Sequence, residues 1–268
     1  MVGIIRKTRR VVVKIGASVL ADASGRLSHK ALMGVAKGIA SIQKKGVHVI
    51  LVSSGAVASG MQYLGFDKKP QKISELQACA AIGQPILIKF YQQAFSRSRL
   101  QAAQILLTRN DLEDRARFLN ARHTLLELLR HNVIPIINEN DTVVVDEMRV
   151  GDNDNLSALV TGVINADLLI LLTDQDGFHT SDPRQDPEAT RIPLVETVDG
   201  KLLAKASDTR KAISVGGMKT KLQAAQKACH FGAPTLIANG RHPRILERIF
   251  TAESVGTLFA LGKKKRGR

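Results

Sequence analysis

Four short aliphatic runs set the strongest limit on how this chain folds: Val11–Val13, Val49–Val52, Ile134–Ile137 and Leu168–Leu172. A strand with one wet face alternates apolar and polar residues, whereas a strand covered on both faces reads as a continuous Val/Ile/Leu run. The expected strands are Arg10–Ile15, Val47–Ser53, Ala102–Thr108, Val133–Ile137, Leu168–Thr173 and Thr235–Ala238. Helical patterns fill the gaps, over Lys30–Lys45, Ile73–Ser98, Arg115–Arg130, Asn155–Asn165 and Lys219–Phe231. Alternation of this kind predicts an α/β fold with a mainly parallel central sheet and helices on both faces. Pro135 lacks the N–H of a ladder residue and argues against full pairing of its strand on both sides. Thr142–Val150 reads as a local hairpin and Pro193–Val198 as a further surface strand.

No repeat of fixed period and no linker divides the chain. One domain over residues 10–260 is expected, with a basic extension at 1–9 and a basic tail at 261–268. Only these two ends read as disordered. Of the net charge of +15, nine come from Arg6, Lys7, Arg9, Arg10, Lys263–Lys265, Arg266 and Arg268, so the body is only modestly basic. Such a body suits an anionic substrate. The basic ends lack interleaved aromatics, and the chain has no Trp and two Tyr, which disfavours a nucleic-acid function. The apolar runs are too short to cross a membrane, and Lys14 breaks the first one before it can act as a signal segment. Cys79 and Cys229 carry no pairing or metal-ligand motif, and the seven histidines show no HExxH. A reduced, cytoplasmic setting without a zinc site follows.

Against this basic background, Asn138–Asp154 holds six acids (Glu139, Asp141, Asp146, Glu147, Asp152 and Asp154) and one base, Arg149. Asn138, Asn140, Asn153 and Asn155 add four amides. Directional groups at this density suit a small polar ligand, although a solvated loop of turn formers has the same composition. In open α/β sheets, ligands gather at the carboxyl ends of the strands. There the first strand ends Lys14-Ile15-Gly16, which on its own reads as a snorkelling surface lysine. The second ends Ser53-Ser54-Gly55, either an anion site at a helix start or a plain cap. The fifth ends Thr173-Asp174-Gln175-Asp176-Gly177, and Val215-Gly216-Gly217-Met218-Lys219-Thr220-Lys221 opens a helix. A Gly-Gly before a helix is a weak sign of phosphate binding, and no Walker motif occurs.

The order of these pieces says more than any one of them. VVVKIGASVL, VSSGAVASG, LLTRNDLEDRARFLNA, INENDTV, GDNDNLSAL, LLTDQDG and GGMKTKLQAA follow one another from about Arg10 to Phe259. In this order they resemble the amino-acid kinase superfamily and, within it, the glutamate 5-kinase branch. The resemblance implies a three-layer αβα sandwich. It implies transfer of the ATP γ-phosphoryl group, with Mg2+, to the side-chain carboxylate of L-glutamate, at the head of proline synthesis. Lys14 and Lys221 would contact the transferring phosphate, and Asp154 would orient them as the third catalytic residue. Ser54, Asp141 and Asn153 would bind L-glutamate. Lys14, Thr173, Asp174 and the loop Val215, Gly216, Gly217, Met218, Lys219, Thr220 and Lys221 would bind ATP. No side-chain metal site is expected, because the nucleotide phosphates carry magnesium.

The chemistry agrees with these residue types. A glutamate carboxylate is ionised at neutral pH and needs no general base, so cations and amides should surround the phosphoryl end. Its ammonium gives the acid-rich segment a partner. SVGGM stands where the family pattern is GTGGM, so Ser214 and Val215 depart from it. The sequence stops after Val255–Phe259 and a basic stub, so the C-terminal PUA domain carried by many members is expected to be missing. Feedback by proline would act at or near the glutamate site, with Asp111, Glu113 and Glu147 as candidate lining. A homo-oligomer is expected, with Ile73–Ser98 as its interface. The rival readings are a sister kinase acting on acetylglutamate, aspartate, carbamate or UMP, and an RNA- or surface-binding protein that works through its basic ends.

Overall fold

The computed structural model describes residues 1–22, 24–143, 153–198, 200, 202–203 and 217–261. In chain order the helices are α1 (Val2–Lys7), α2 (Ala17–Leu20), α3 (His29–Gln43), α4 (Ala56–Leu64), α5 (Ile73–Ser96), α6 (Arg109–Glu113), α7 (Arg115–Arg130), α8 (Asn153–Ile164), α9 (Met218–His230) and α10 (Ile245–Phe250). The strands are β1 (Arg10–Ile15), β2 (His48–Ser53), β3 (Ala102–Leu107), β4 (Ile134–Glu139), β5 (Leu168–Thr173), β6 (Leu194–Val195), β7 (Thr235–Asn239) and β8 (Thr257–Phe259). They form one eight-stranded sheet in the order β3-β4-β2-β1-β5-β7-β8-β6. All neighbours are parallel except β7 and β8.

Alternation along each strand sorts side chains to two faces. Val11, Val13 and Ile15 pack with α1, α3, α5 and α10. Val12 packs on the other face with α7, α8 and α9. The expected αβα sandwich is therefore present. Pro135 behaves as its chemistry dictates: it is in register with Ala103 of β3, whereas the ladder to β2 covers only Ile136 and Ile137. Of the proposed hairpin Thr142–Val150, residues 144–150 lie outside the described residues.

One end departs from expectation. The amino-terminal extension is helical: α1 buries Ile5, and Met1 and Ile4 pack against the core. The Asp167 carboxylate accepts from the Arg9 and Arg10 amides at 2.7 and 2.8 Å and fixes the turn into β1. Charge counting overlooked the apolar Ile4-Ile5 pair among the basic residues.

α4 and α5 meet almost backbone to backbone. A Cβ added to Gly83 would lie 1.8 Å from the Ala56 carbonyl oxygen, and one on Gly60 would lie 1.8 Å from that of Cys79. Neither obstacle is a movable side chain. Gly83→Ala is expected to lower the unfolding free energy by about 3 kcal/mol or more, at the upper end of overpacking costs. A urea midpoint shift reads this directly, and an unshifted midpoint would show that the helices can part.

Candidate active site

β1 and β5 are adjacent, but their onward connections leave to opposite sides of the sheet, which opens a crevice at their carboxyl ends. Lys14 shares the parity of Val12, so its side chain faces α8 and α9 rather than α3. Its Nζ lies 2.6 Å from Asp154 Oδ1. Asp154 sits in the first turn of α8, where the helix dipole favours a carboxylate. Lys221, on the buried face of α9, places its Nζ 3.2 Å from Asp154 Oδ2, and the Thr220 hydroxyl donates to the same oxygen at 2.8 Å. Lys14, Asp154 and Lys221 are 5%, 1% and 6% exposed, so two ammonium groups share one carboxylate out of water. Burial pushes the Asp154 pKa up, but the charges of Lys14 and Lys221 outweigh it and hold the group at about 2. Burial pulls Lys221 down, opposed by Asp154 and reinforced by Lys14.

A line of amides runs from this cluster. The Asn153 Nδ2 group donates to Ser54 Oγ at 3.1 Å, to the Ser53 carbonyl at 3.2 Å and to Asn138 Oδ1 at 3.0 Å. Asn138 Nδ2 in turn donates to Gln84 Oε1 at 2.8 Å. Asn153 Oδ1 is buried without a hydrogen-bond partner. Gln84 also lines a cavity of about 250 Å³, with Ala56, Gln104, Glu139 and Asp141. Asp141 is 7% exposed and its Oδ1 has no hydrogen-bond partner. Burial, then the charge of Glu139, raises its pKa to about 7 against the opposing pull of Lys69. An orphaned, buried carboxylate on a cavity wall is complementary to a cation entering that cavity.

The other flank of the cluster is built from helix and strand ends. Gly217 precedes α9 in extended conformation and leaves the first turn without a side-chain cap, so the amides of Met218, Lys219 and Thr220 suit an anion. Thr173 ends β5, its hydroxyl 3.1 Å from the exposed Asp174, whose charge reaches Lys221. A Cβ on Gly16 would come 3.5 Å from the Leu172 carbonyl oxygen and 3.9 Å from Lys14 Nζ, so the glycine keeps the space over the lysine open. Val215 and Gly216 lie outside the described residues, as do Ser214 and Glu147. Asp111 caps α6 through Thr108 and pairs with Arg117 at 2.9 Å, and Glu113 pairs with Arg109 at 2.6 Å. Both carboxylates are thus engaged on the surface. Sequence reasoning missed Gln84 and left Asn138 off the site. Asn138 at least ends a strand, but Gln84 sits within a helix and is joined to the site only by a contact 54 residues away.

The model of the amino acid kinase family matches residues 9–239. The chain is 50% identical over 265 residues to the glutamate 5-kinase of Geobacter metallireducens, covering 99% of this chain and 71% of that protein. It is 50% identical over 257 residues to the glutamate 5-kinase of Paraburkholderia phymatum, covering 96% and 69%. This chain belongs to the amino acid kinase family, in its glutamate 5-kinase branch. Solved structures extend the likeness of fold. Carbamate kinase from Giardia lamblia superposes with a TM-score of 0.68 at 18% identity, over 95% of this chain and 99% of that one. UMP kinase from Bacillus anthracis gives 0.63 at 20% identity, over 95% and 96%. In this member of the family, the cluster of two lysines on one carboxylate lies at the carboxyl ends of the central strands.

Proposed function

We infer that this chain transfers the γ-phosphoryl group of ATP to the side-chain carboxylate of L-glutamate, forming L-glutamyl 5-phosphate, the first step of proline biosynthesis. The observation that carries the mechanism is the buried pairing of Lys14 and Lys221 on Asp154. A carboxylate oxygen of glutamate attacks the γ-phosphorus, the bond to the β–γ bridging oxygen breaks, and ADP leaves with the electron pair. No proton moves, so no general base is required. Lys14 and Lys221 stabilise charge on the transferring group, and Asp154 holds both ammoniums in place. Ser54 and Asn153 orient the acceptor, and Asp141 takes its ammonium. Thr173, Asp174 and residues 215–221 receive ATP.

Magnesium would neutralise phosphate charge there. The donor chemistry suits a metal brought in by the nucleotide, held by phosphates and water: among the described residues no three Asp, Glu, His or Cys groups stand together as a cage. The free thiols of Cys79 and Cys229 suit a reducing, cytoplasmic setting. A homo-oligomer is part of the same reading. Feedback by proline is assigned to the Asp141 side of the acceptor cavity, since Asp111 and Glu113 are engaged elsewhere.

Trapping the acyl phosphate with hydroxylamine tests the reaction. Hydroxamate is expected with L-glutamate and ATP; faster formation with aspartate or acetylglutamate would move the chain to a sister activity. Lys221→Ala is expected to lower kcat about a hundredfold, the usual order for one electrostatic donor. Unchanged turnover in the folded variant would remove that residue from the mechanism.

A further inference from the structure

A second cavity, of about 500 Å³, opens on the α3 face of the sheet, between α2, α3 and the connection from β7 to α10. That volume lies within the usual range for small-molecule sites. Its floor is apolar, made by Val19, Val35, Leu172 and Leu246. Lys30, Gly34 and Gly38 follow one another at i, i+4 and i+8 on α3 and form one wall. A helix-interior glycine costs about 1 kcal/mol relative to alanine. Yet a Cβ on Gly34 would meet nothing within 4 Å. Alanine would fit there and steady the helix; glycine keeps the space clear.

The charged groups around this space divide in two. Asp22 accepts from Ser24 and from the Arg26 amide, and the His242 ring is 2.7 Å from Asp176, so these are locally occupied. Arg241 is pinned at the rim, donating through Nε and Nη2 to the Ser18 carbonyl at 3.3 and 2.9 Å. Lys30 and Arg244 complete a cationic mouth. On the wall, the Glu247 side chain is only 13% exposed, and its ion pair with Arg244 is loose at 3.8 Å. A cationic mouth, an inner carboxylate and an aliphatic floor are complementary to one kind of small molecule.

We propose that this cavity is a second ligand site, taking an aliphatic α-amino acid. The ligand carboxylate meets Arg241, Lys30 and Arg244, its ammonium meets Glu247, and its side chain covers Val35 and Leu246. Binding here does not depend on the acceptor assigned to the catalytic site. L-Leucine, L-valine and L-methionine serve as probes, measured by calorimetry and saturation-transfer NMR at millimolar concentration on the full chain. At least one is expected to bind, and Glu247→Gln and Arg241→Ala should each weaken it at least about tenfold, as loss of one partner of a charge pair does. Gly34→Leu should fill the space and abolish binding while kinase turnover persists. Asp141→Ala, which alters the acceptor cavity, should leave binding within about twofold. The proposal fails if none of the three binds, if binding survives both Glu247→Gln and Arg241→Ala, or if Asp141→Ala removes it. It also fails if 4-methylpentanoate, which has no ammonium, binds as tightly as L-leucine.

Discussion

Asp154→Asn is expected to lower turnover about a thousandfold or more, the loss of one to two electrostatic donors at once. The amide keeps the shape but removes the charge with which both the Lys14 and Lys221 ammoniums pair, and they then face each other buried. Both are displaced or lose protons, so the transferring phosphoryl group meets neither in place. Breaking a buried ion pair by removing one partner costs about 3–5 kcal/mol, so the unfolding free energy should fall by a similar amount. Steady-state kinetics and urea denaturation of one preparation give both values. Turnover within tenfold of the parent in a folded variant would dismiss Asp154 as organiser. A double variant, Lys14→Met with Asp154→Asn, should recover stability but not activity, which separates the two effects. Acid should act through the same group. Its folded pKa, about 2, lies below the ordinary carboxylate value, so its stabilising contribution is complete above about pH 4 and is lost as pH falls towards 2.

Asp141→Ala is expected to raise the glutamate KM a few hundredfold, equivalent to about 3–4 kcal/mol for one lost partner of a buried charge pair, with the ATP KM little changed. Equal effects on both substrates would mean that the acidic segment is not the acceptor site. The native residue adds a pH signature. Burial, then the Glu139 charge, lifts Asp141 to about 7 in the empty cavity, so a glutamate ammonium meets a carboxylate above that pH and a carboxylic acid below it. The glutamate KM should therefore rise about tenfold per pH unit below 7, and level off above it. The stability of the empty protein runs the other way. A raised carboxylate pKa makes the protonated folded state the favoured one, so this group's contribution is full below about pH 4 and lost as pH climbs through 7. A glutamate KM that stays flat between pH 6 and 8 would refute the linkage.

Much of this architecture could be read from the chain before any coordinates. The runs at Arg10–Ile15 and Leu168–Thr173 and the helix at Arg115–Arg130 have the expected bounds, because central strands and long periodic helices depend on the local pattern of apolar residues. Three-residue β8 has no period to detect; it exists because β7 offers it an edge. Lys14 shows the same divide within the site. Its spacing after three valines marked it as unusual, but only the meeting of α8 with α9 turns a snorkelling lysine into a buried one. Gln84 had no local mark at all, since its meaning lies in Asn138, on a strand far along the chain.

The glycine contacts between α4 and α5 bear on how this enzyme could change its acceptor. Ala56 of α4 and Gln84 of α5 form one side of the 250 Å³ cavity, and Gly60 and Gly83 weld the two helices into a single wall. A bulkier acceptor cannot enter by prising those helices apart, because their backbones would have to separate together with the core beneath them. The opposite side is made by Gln104 and Leu106 of β3, by Glu139 at the end of β4 and by residues 140–142 beyond it, where side chains can be exchanged without shifting a helix. Lineages or laboratory selections that arrive at a different acid should therefore record the change on the strand side, with the paired glycines left untouched.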